Sequence, residues 1–382
     1  MHPTYTVLAH TFLLAALAAI CPKASIAQAT LPGALKLLGK YTVPYNMAYA
    51  GTTVGGLSGI DYDPKTNRYY LISDDRSTVN PARFYTAVIN ISPTGIDTVA
   101  FTKVTTFKQR NGTVYPNSKQ DAAHTPDPEA IRYNPMAQHL VWSSEGERIL
   151  KKGDTLLENP TVTIADTNGQ LIDTLPLPPQ LRMQANEYGP RQNGVFEGLA
   201  YADHYKTLFV SVEEPLYQDG PRAGIKDTTA LVRILSYNLT AKQLQAQYAY
   251  KLDPVAYPPI TTGAFMINGV ADILHAGNGQ LLVMERSFST GRMACSIRIY
   301  VTDVGKAQNI ANIPSLRQTP PVKPLEKHLL LNLDALGIYI DNVEGMTFGP
   351  TLPNGHKTLL MVADNNFLPI QQSQFLLFEV VP

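Results

Sequence analysis

Cysteine is almost absent from this chain of 382 residues, which carries only Cys21 and Cys295. With Cys21 inside an N-terminal leader, a single thiol remains, so no internal disulfide can form and stability must come from packing. Charge is scarce as well: Asp, Glu, Lys and Arg make up 16%, with 31 basic against 31 acidic residues and a formal net charge of zero. Such a balance gives no long-range field to draw the protein onto nucleic acid or an anionic membrane, so any charge-based function must be local. There is no paired-cysteine zinc motif and no His-Glu-x-x-His run. The apolar run Thr11–Ile20 is too short to span a bilayer. It leads into Ala24-Ser25-Ile26-Ala27, which reads as a signal peptide over residues 1–27 and predicts one exported domain over 28–382, secreted or periplasmic. Only His2 and His10 stand ahead of the apolar run in place of the usual Lys or Arg. Turn formers, by contrast, are plentiful, with 26 Gly and 29 Pro beside 44% hydrophobic residues. That mixture suits many short strands better than long amphipathic helices.

Internal similarity supplies the architecture. Leu57-Ser58-Gly59-Ile60-Asp61-Tyr62, Pro128-Glu129-Ala130-Ile131-Arg132-Tyr133, Phe196-Glu197-Gly198-Leu199-Ala200-Tyr201 and Val343-Glu344-Gly345-Met346-Thr347-Phe348 share one pattern: polar, small, aliphatic, then an aromatic two residues on. A second strand follows each and runs into an acid. The separations Ile60 to Asp74, Ile131 to Glu145 and Leu199 to Glu213 are each 14 residues, and Met346 to Asp364 is four longer. A divergent copy, Gly269-Val270-Ala271-Asp272-Ile273, ends at Glu285. Third and fourth strands are legible at Arg83–Ile91, Thr98–Phe107, Leu231–Leu239 and Gln245–Leu252. Gln374–Val381 supplies only a third, and the unassigned Ala34–Val43 is the natural fourth. The expected fold is therefore all-β, a propeller of five four-stranded blades, with a degenerate sixth possible, its ring closed by the N- and C-terminal strands. A pair of β-sandwiches is the structural alternative.

In a blade, the residue opening the first strand and the residue closing the second lie at the same end, beside the channel mouth. Glu129, Glu197 and Glu344 open strands; Asp74, Glu145, Glu213, Glu285 and Asp364 close them. Many carboxylates converging on one mouth call for a cation or for basic partners. Oxygen donors of this kind suit a divalent cation, Ca²⁺ first and Mg²⁺ second, with Glu129, Glu197, Glu344, Asp364, Glu213 and Asp74 as the expected ligands and the amides of Asn193, Asn268, Asn342 and Asn365 as supplements. The competing reading makes Arg76, Arg132, Arg148 and Arg286 blade-to-blade partners of these acids. Catalytic roles fall to Glu197, Glu129 and His124, the last as a base with a suitable pKa on the connector into the second blade. Arg76, Arg286 and Arg191 are the expected contacts to an anionic substrate. Ser58 lacks the last glycine of a nucleophile elbow.

Gly56-Leu57-Ser58-Gly59-Ile60 with Ser73-Asp74-Asp75, Asp127-Pro128-Glu129-Ala130-Ile131, Phe196-Glu197-Gly198-Leu199, Leu282-Val283-Met284-Glu285-Arg286-Ser287-Phe288 and Asn342-Val343-Glu344-Gly345-Met346 together resemble the phytase-like proteins described as "esterase-like activity of phytase". The resemblance spans roughly residues 50–380 and implies an exported propeller hydrolase of ester or phosphoester bonds. Val270-Ala271-Asp272 departs from the acid-glycine pattern, which puts an equivalent ligand there in doubt. A small anionic or ester substrate and a monomeric state are expected. The alternatives are a non-catalytic binding propeller with structural Ca²⁺ and a Ca²⁺-dependent lactonase.

Overall fold

A computed structural model describes residues 1–3, 32–151, 153–226 and 229–382; the expected leader, from residue 4 onward, lies outside the described residues. Five four-stranded antiparallel sheets form the blades of a propeller. From inner to outer strand, blade 1 is Leu57–Asp63, Arg68–Ser73, Arg83–Ser92 and Gly95–Thr106. Blade 2 is Pro128–Asn134, His139–Ser144, Thr161–Asp166 and Leu171–Thr174; blade 3 is Phe196–Ala202, Thr207–Val212, Leu231–Asn238 and Gln243–Lys251. Blade 4 is Met266–Gly277, Gln280–Ser289, Ser296–Asp303 and Lys327–Asn332. Blade 5 takes Asn342–Thr351, Lys357–Asp364 and Ser373–Val381 from the C-terminus and Ala34–Val43 from the N-terminus. That closing strand pairs antiparallel with Ser373–Val381 along nearly its whole length, from Ala34 opposite Val381 to Val43 opposite Ser373. Among the described residues there is no sixth blade, and no helix is long and apolar enough to cross a membrane.

The near-continuous apolar second strands make sense once both sheet faces are buried. Leu359, Met361 and Ala363 point into a core shared with blade 4, while Leu360 and Val362 point into one shared with blade 1. Three further cores fill the interfaces of blades 1 with 2, 2 with 3, and 3 with 4, so apolar packing runs around the whole ring. Trp142 is fully buried in the first of these, stacked on Phe107 at 4.3 Å between centroids.

Each inner strand carries a bulge at the same place: between Leu57 and Gly59, Pro128 and Ile131, Phe196 and Leu199, Val270 and Asp272, and Val343 and Gly345. A bulge turns one extra side chain off the ladder, and here the extra position holds Ser58, Glu129, Glu197, Ala271 and Glu344. The next residue faces the neighbouring blade at very short range. A Cβ on Gly198 would sit 2.7 Å from Asp272 Cα, and one on Gly345 2.9 Å from Gly59 Cα, which is why glycine follows the acid in blades 3 and 5, while blade 2 takes Ala130 there.

Blade 4 breaks this rule with Asp272, and the structure shows why. Asp272 accepts two hydrogen bonds from Arg132 Nη2, both at 2.8 Å, across the channel from blade 2, and a third from the Met346 amide of blade 5 at 2.8 Å. Arg132 Nη1 donates to the Ile60 carbonyl of blade 1 at 2.8 Å. One buried ion pair thus ties four blades together. Asp272→Asn, which leaves the Arg132 charge buried without its partner, is expected to cost about 3–5 kcal/mol in urea unfolding. An Arg132→Met, Asp272→Asn double variant is expected to lose less than the single one.

Candidate functional site

The bulged Glu129 and Glu197 and the strand-end residues Asp74 and Glu145 meet at one mouth, joined by Asp127 from the connector ahead of blade 2. Ligand atoms of Asp74, Asp127 and Glu129 lie within 4.8 Å of one another, as do those of Glu129, Glu145 and Glu197, so Glu129 belongs to both sets. All but Asp74 are buried. Asp127 is anchored by Arg76 at 3.3 Å and by its amide donating to Ser144 Oγ at 3.0 Å. Glu145 accepts from the Val195 amide on Oε1, whereas its buried Oε2 has no partner.

The electrostatic consequence is uniform. Burial first, then repulsion from neighbouring carboxylates, holds Asp74, Glu129, Glu145 and Glu197 well above the usual carboxyl range. Burial also raises Asp127 to about 6 against the pull of Arg76. A dense set of oxygen donors with an orphaned buried oxygen, in which Arg76 pairs with Asp127, fits a hard divalent ion such as Ca²⁺. Glu129, Glu145, Glu197, Asp74 and Asp127 are the residues able to hold it.

The other predicted ligands gather on the opposite side of the mouth around Arg286. Its guanidinium donates to Glu213 at 2.7 Å and to Asn342 Oδ1 at 3.1 Å, and lies 3.5 Å from Glu344. Glu213 is raised to about 8 by burial despite this partner, and burial also raises Glu344 and Asp364. Glu344 Oε2 and Asp364 Oδ2 are buried without hydrogen-bond partners, and Arg286 Nε has only its 3.5 Å ion contact to Glu344. Glu285 turns away into a blade interface, where Tyr250, Lys327, Asn268 and the Asp253 amide satisfy it. That also occupies Asn268. Asn365 is taken by the amides of Gly56 and Phe367.

A cavity of roughly 530 Å³ opens over both halves, lined by Asp74, Glu129, Glu197, Glu344, Arg286 and Asn193 among others. Two expected substrate contacts are outside that lining. Arg76 pairs with Asp127 and Glu147, and Arg191 donates to the carbonyls of Pro215 and Gly220 with its guanidinium over the Tyr217 ring. His124 is also outside it, exposed on the connector and hydrogen-bonded to Asp121 at 2.9 Å. Of the four arginines expected to pair with the strand-start and strand-end acids, Arg286 does so with Glu213 and Glu344. By contrast, Arg76 pairs with Asp127 and Glu147, Arg132 pairs with Asp272, and Arg148 donates to the carbonyls of Gln184 and Asn186 and to the Tyr217 hydroxyl. Cys295 is buried, which pushes its thiol to about 12. Asp127 and Glu145 were the residues underweighted in sequence. Glu145 ends the repeat at the shared 14-residue spacing, and Asp127 stands two residues ahead of Glu129.

The fold and site together define a five-bladed propeller with an acid-lined mouth. The chain belongs to the phytase-like family described as esterase-like activity of phytase, which matches residues 52–367. No curated protein matches it by sequence. Similar solved structures include an endo-arabinase from Bacteroides thetaiotaomicron, at 13% identity and TM-score 0.43, covering 90% of this chain and 97% of that one. A periplasmic gluconolactonase of Pseudomonas aeruginosa aligns at 10% identity and TM-score 0.36, covering 87% and 90% respectively. A protein of unknown function from Dyadobacter fermentans aligns at 10% and 0.42, covering 92% and 100%. These likenesses are too distant to carry an activity across.

Glu145→Gln keeps an acceptor for the Val195 amide and removes one buried acid. A carboxyl whose folded pKa is raised loses stability as pH climbs above its unfolded value. Chelator-stripped Glu145→Gln is therefore expected to be more stable than the unaltered chain by about 1–3 kcal/mol at pH 8, with the gain shrinking toward pH 5 in thermal melts.

Proposed function

We propose that the protein is an exported hydrolase of ester or phosphoester bonds that works with a divalent cation, Ca²⁺ in preference to Mg²⁺, at the blade 1–3 side of the mouth. The observation that carries this reading is the pair of carboxylate sets sharing Glu129, of which Glu129, Glu145 and Glu197 are buried with no basic side chain bonded to them and Asp74, Glu129 and Glu197 line the cavity. Membership of the phytase-like family supports it. Glu129, Glu145 and Glu197, with Asp74 and Asp127, would hold the ion. When bound, it would supply Lewis-acid polarisation of the ester oxygen and a more acidic water.

The chain's own groups supply the rest. Glu213 and Glu344 clamp Arg286 so that a fixed positive charge faces the cavity, where it would stabilise negative charge developing on the reacting oxygen. With the ion held by Glu129, Glu145 and Glu197, Asp74, half-buried and on the cavity wall, would accept a proton from water. A lactone, as a cyclic ester, falls within the same chemistry.

Glu197→Gln is expected to abolish the calorimetric Ca²⁺ isotherm and to lower kcat/KM at least 100-fold on p-nitrophenyl esters. His124→Ala, altering an exposed side chain outside the cavity, is expected to stay within about twofold of the unaltered chain. Full activity in Glu197→Gln would overturn the reading. If Ca²⁺ raises the melting temperature of the unaltered chain while no ester is turned over, the ion is structural and the protein a binding propeller.

A further inference from the structure

The acids line only part of the cavity. Toward blades 4 and 5 its wall includes Phe288, Met293, Leu368 and Ile370, of which Met293, Leu368 and Ile370 are 65%, 46% and 66% exposed. The patch extends past the cavity itself. Ile260, 71% exposed, packs where a Cβ on Gly291 would fall, and the ring of Phe265, 52% exposed, lies 6.4 Å from that of Phe288. Isolated exposed apolar side chains are ordinary, but five grouped around one mouth beside the half-buried Phe288 make a patch of the kind that marks a binding surface.

Positive charge on the same walls is limited to Arg286 and Arg292, and no lysine lines the cavity among the described residues. Arg286 is engaged by Glu213 and Glu344. Arg292 donates Nε to the Pro258 carbonyl at 2.9 Å and lies over the Tyr257 ring at 5.1 Å. A polyphosphorylated polyol would thus bring its many negative charges against Asp74, Glu129, Glu197 and Glu344 on one side and apolar side chains on the other, with the Nη groups of the exposed Arg292 on this lining to receive them. A molecule with one ester group and an apolar arm meets both halves of the cavity.

Resting on the hydrolase reading above, we infer that the substrate is a carboxylic ester bearing an extended apolar acyl or aryl group rather than phytate, and that Met293, Leu368 and Ile370 receive that group. Hydrolysis forms a bond from the water oxygen to the acyl carbon and breaks the acyl–oxygen bond to the alcohol. The products are one carboxylic acid and one alcohol, the water supplying both the acid oxygen and the alcohol proton.

The test is a chain-length series of p-nitrophenyl acetate, butyrate and hexanoate with Ca²⁺ present, run beside phytate, on the unaltered chain and on Leu368→Asp, Ile370→Asp. Each methylene reaching the wall is expected to raise kcat/KM about fourfold. The hexanoate-to-acetate ratio should therefore exceed tenfold in the unaltered chain and fall below about threefold in the double variant. An unchanged Ca²⁺ isotherm in that variant shows that its fold and acidic side are intact; if the isotherm is lost, Ile370→Ser alone serves as the milder variant. A flat series in the unaltered chain, a ratio that survives the variant, or phytate turned over faster than the hexanoate ester overturns the inference. Should no ester be hydrolysed at all, the hydrolase reading fails by itself and calorimetry with octanoate decides the subsite. Octanoate binding that the variant weakens at least tenfold upholds the apolar subsite, and binding that is absent or indifferent to the variant overturns it.

Discussion

Backbone-to-backbone contact between neighbouring inner strands is the constraint from which the rest of this propeller follows. With only five blades the inner strands close in until there is no room for a Cβ between Gly198 and Asp272 or between Gly345 and Gly59. The strand answers with a bulge in every blade, and the bulge leaves one side chain with nowhere to go but the mouth. Where that side chain is glutamate, as in blades 2, 3 and 5, packing geometry and site chemistry are the same fact. The acids are buried because the ring is tight.

Charge is then handled differently on the two sides of the mouth. Around Arg286, Glu213 and Glu344 gain a guanidinium, so that part of the ring is held by its own ion pairs. Between blades 1 and 3, Arg76 reaches Asp127 at the edge and Glu147 of the neighbouring hairpin, and Glu129, Glu145 and Glu197 face one another. Buried like charges of that kind destabilise a fold unless something neutralises them. Stability is given up at this one place and supplied by five interblade cores and the closing strand. The Arg132–Asp272 pair lower in the channel shows the opposite solution, an acid and a base matched across the axis.

Much of this was legible in the sequence because the repeat has a rigid spacing. The acid-glycine pair, the 14-residue step to the second acid and the unpaired Ala34–Val43 strand are all consequences of blade geometry, and each appears in the structure where expected. What escaped was information that strand periodicity does not hold. The hairpin Glu147–Lys151 with Asp154–Glu158 sits between the second and third strands of blade 2 and carries Glu147, the partner of Arg76. Asp127 lies in a connector, so no repeat position announced it. Asp272 looked like a defect in the fourth copy, and only its partner across the channel explains it. His124, Arg76 and Arg191 were chosen for residue type, and their surroundings, set by loops, place them outside the cavity. The apolar side of the mouth is assembled from three loops and the end of a blade 4 strand, a juxtaposition that no local pattern encodes.

The central claim is that the uncompensated carboxylates of blades 1 to 3 hold a divalent cation, and anomalous scattering from crystals soaked in Mn²⁺ as a surrogate tests it most directly. A peak bounded by Glu129, Glu145 and Glu197, or by Glu129, Asp74 and Asp127, is the predicted result. A mouth without a peak, or a peak beside Glu344 and Asp364 alone, would contradict it.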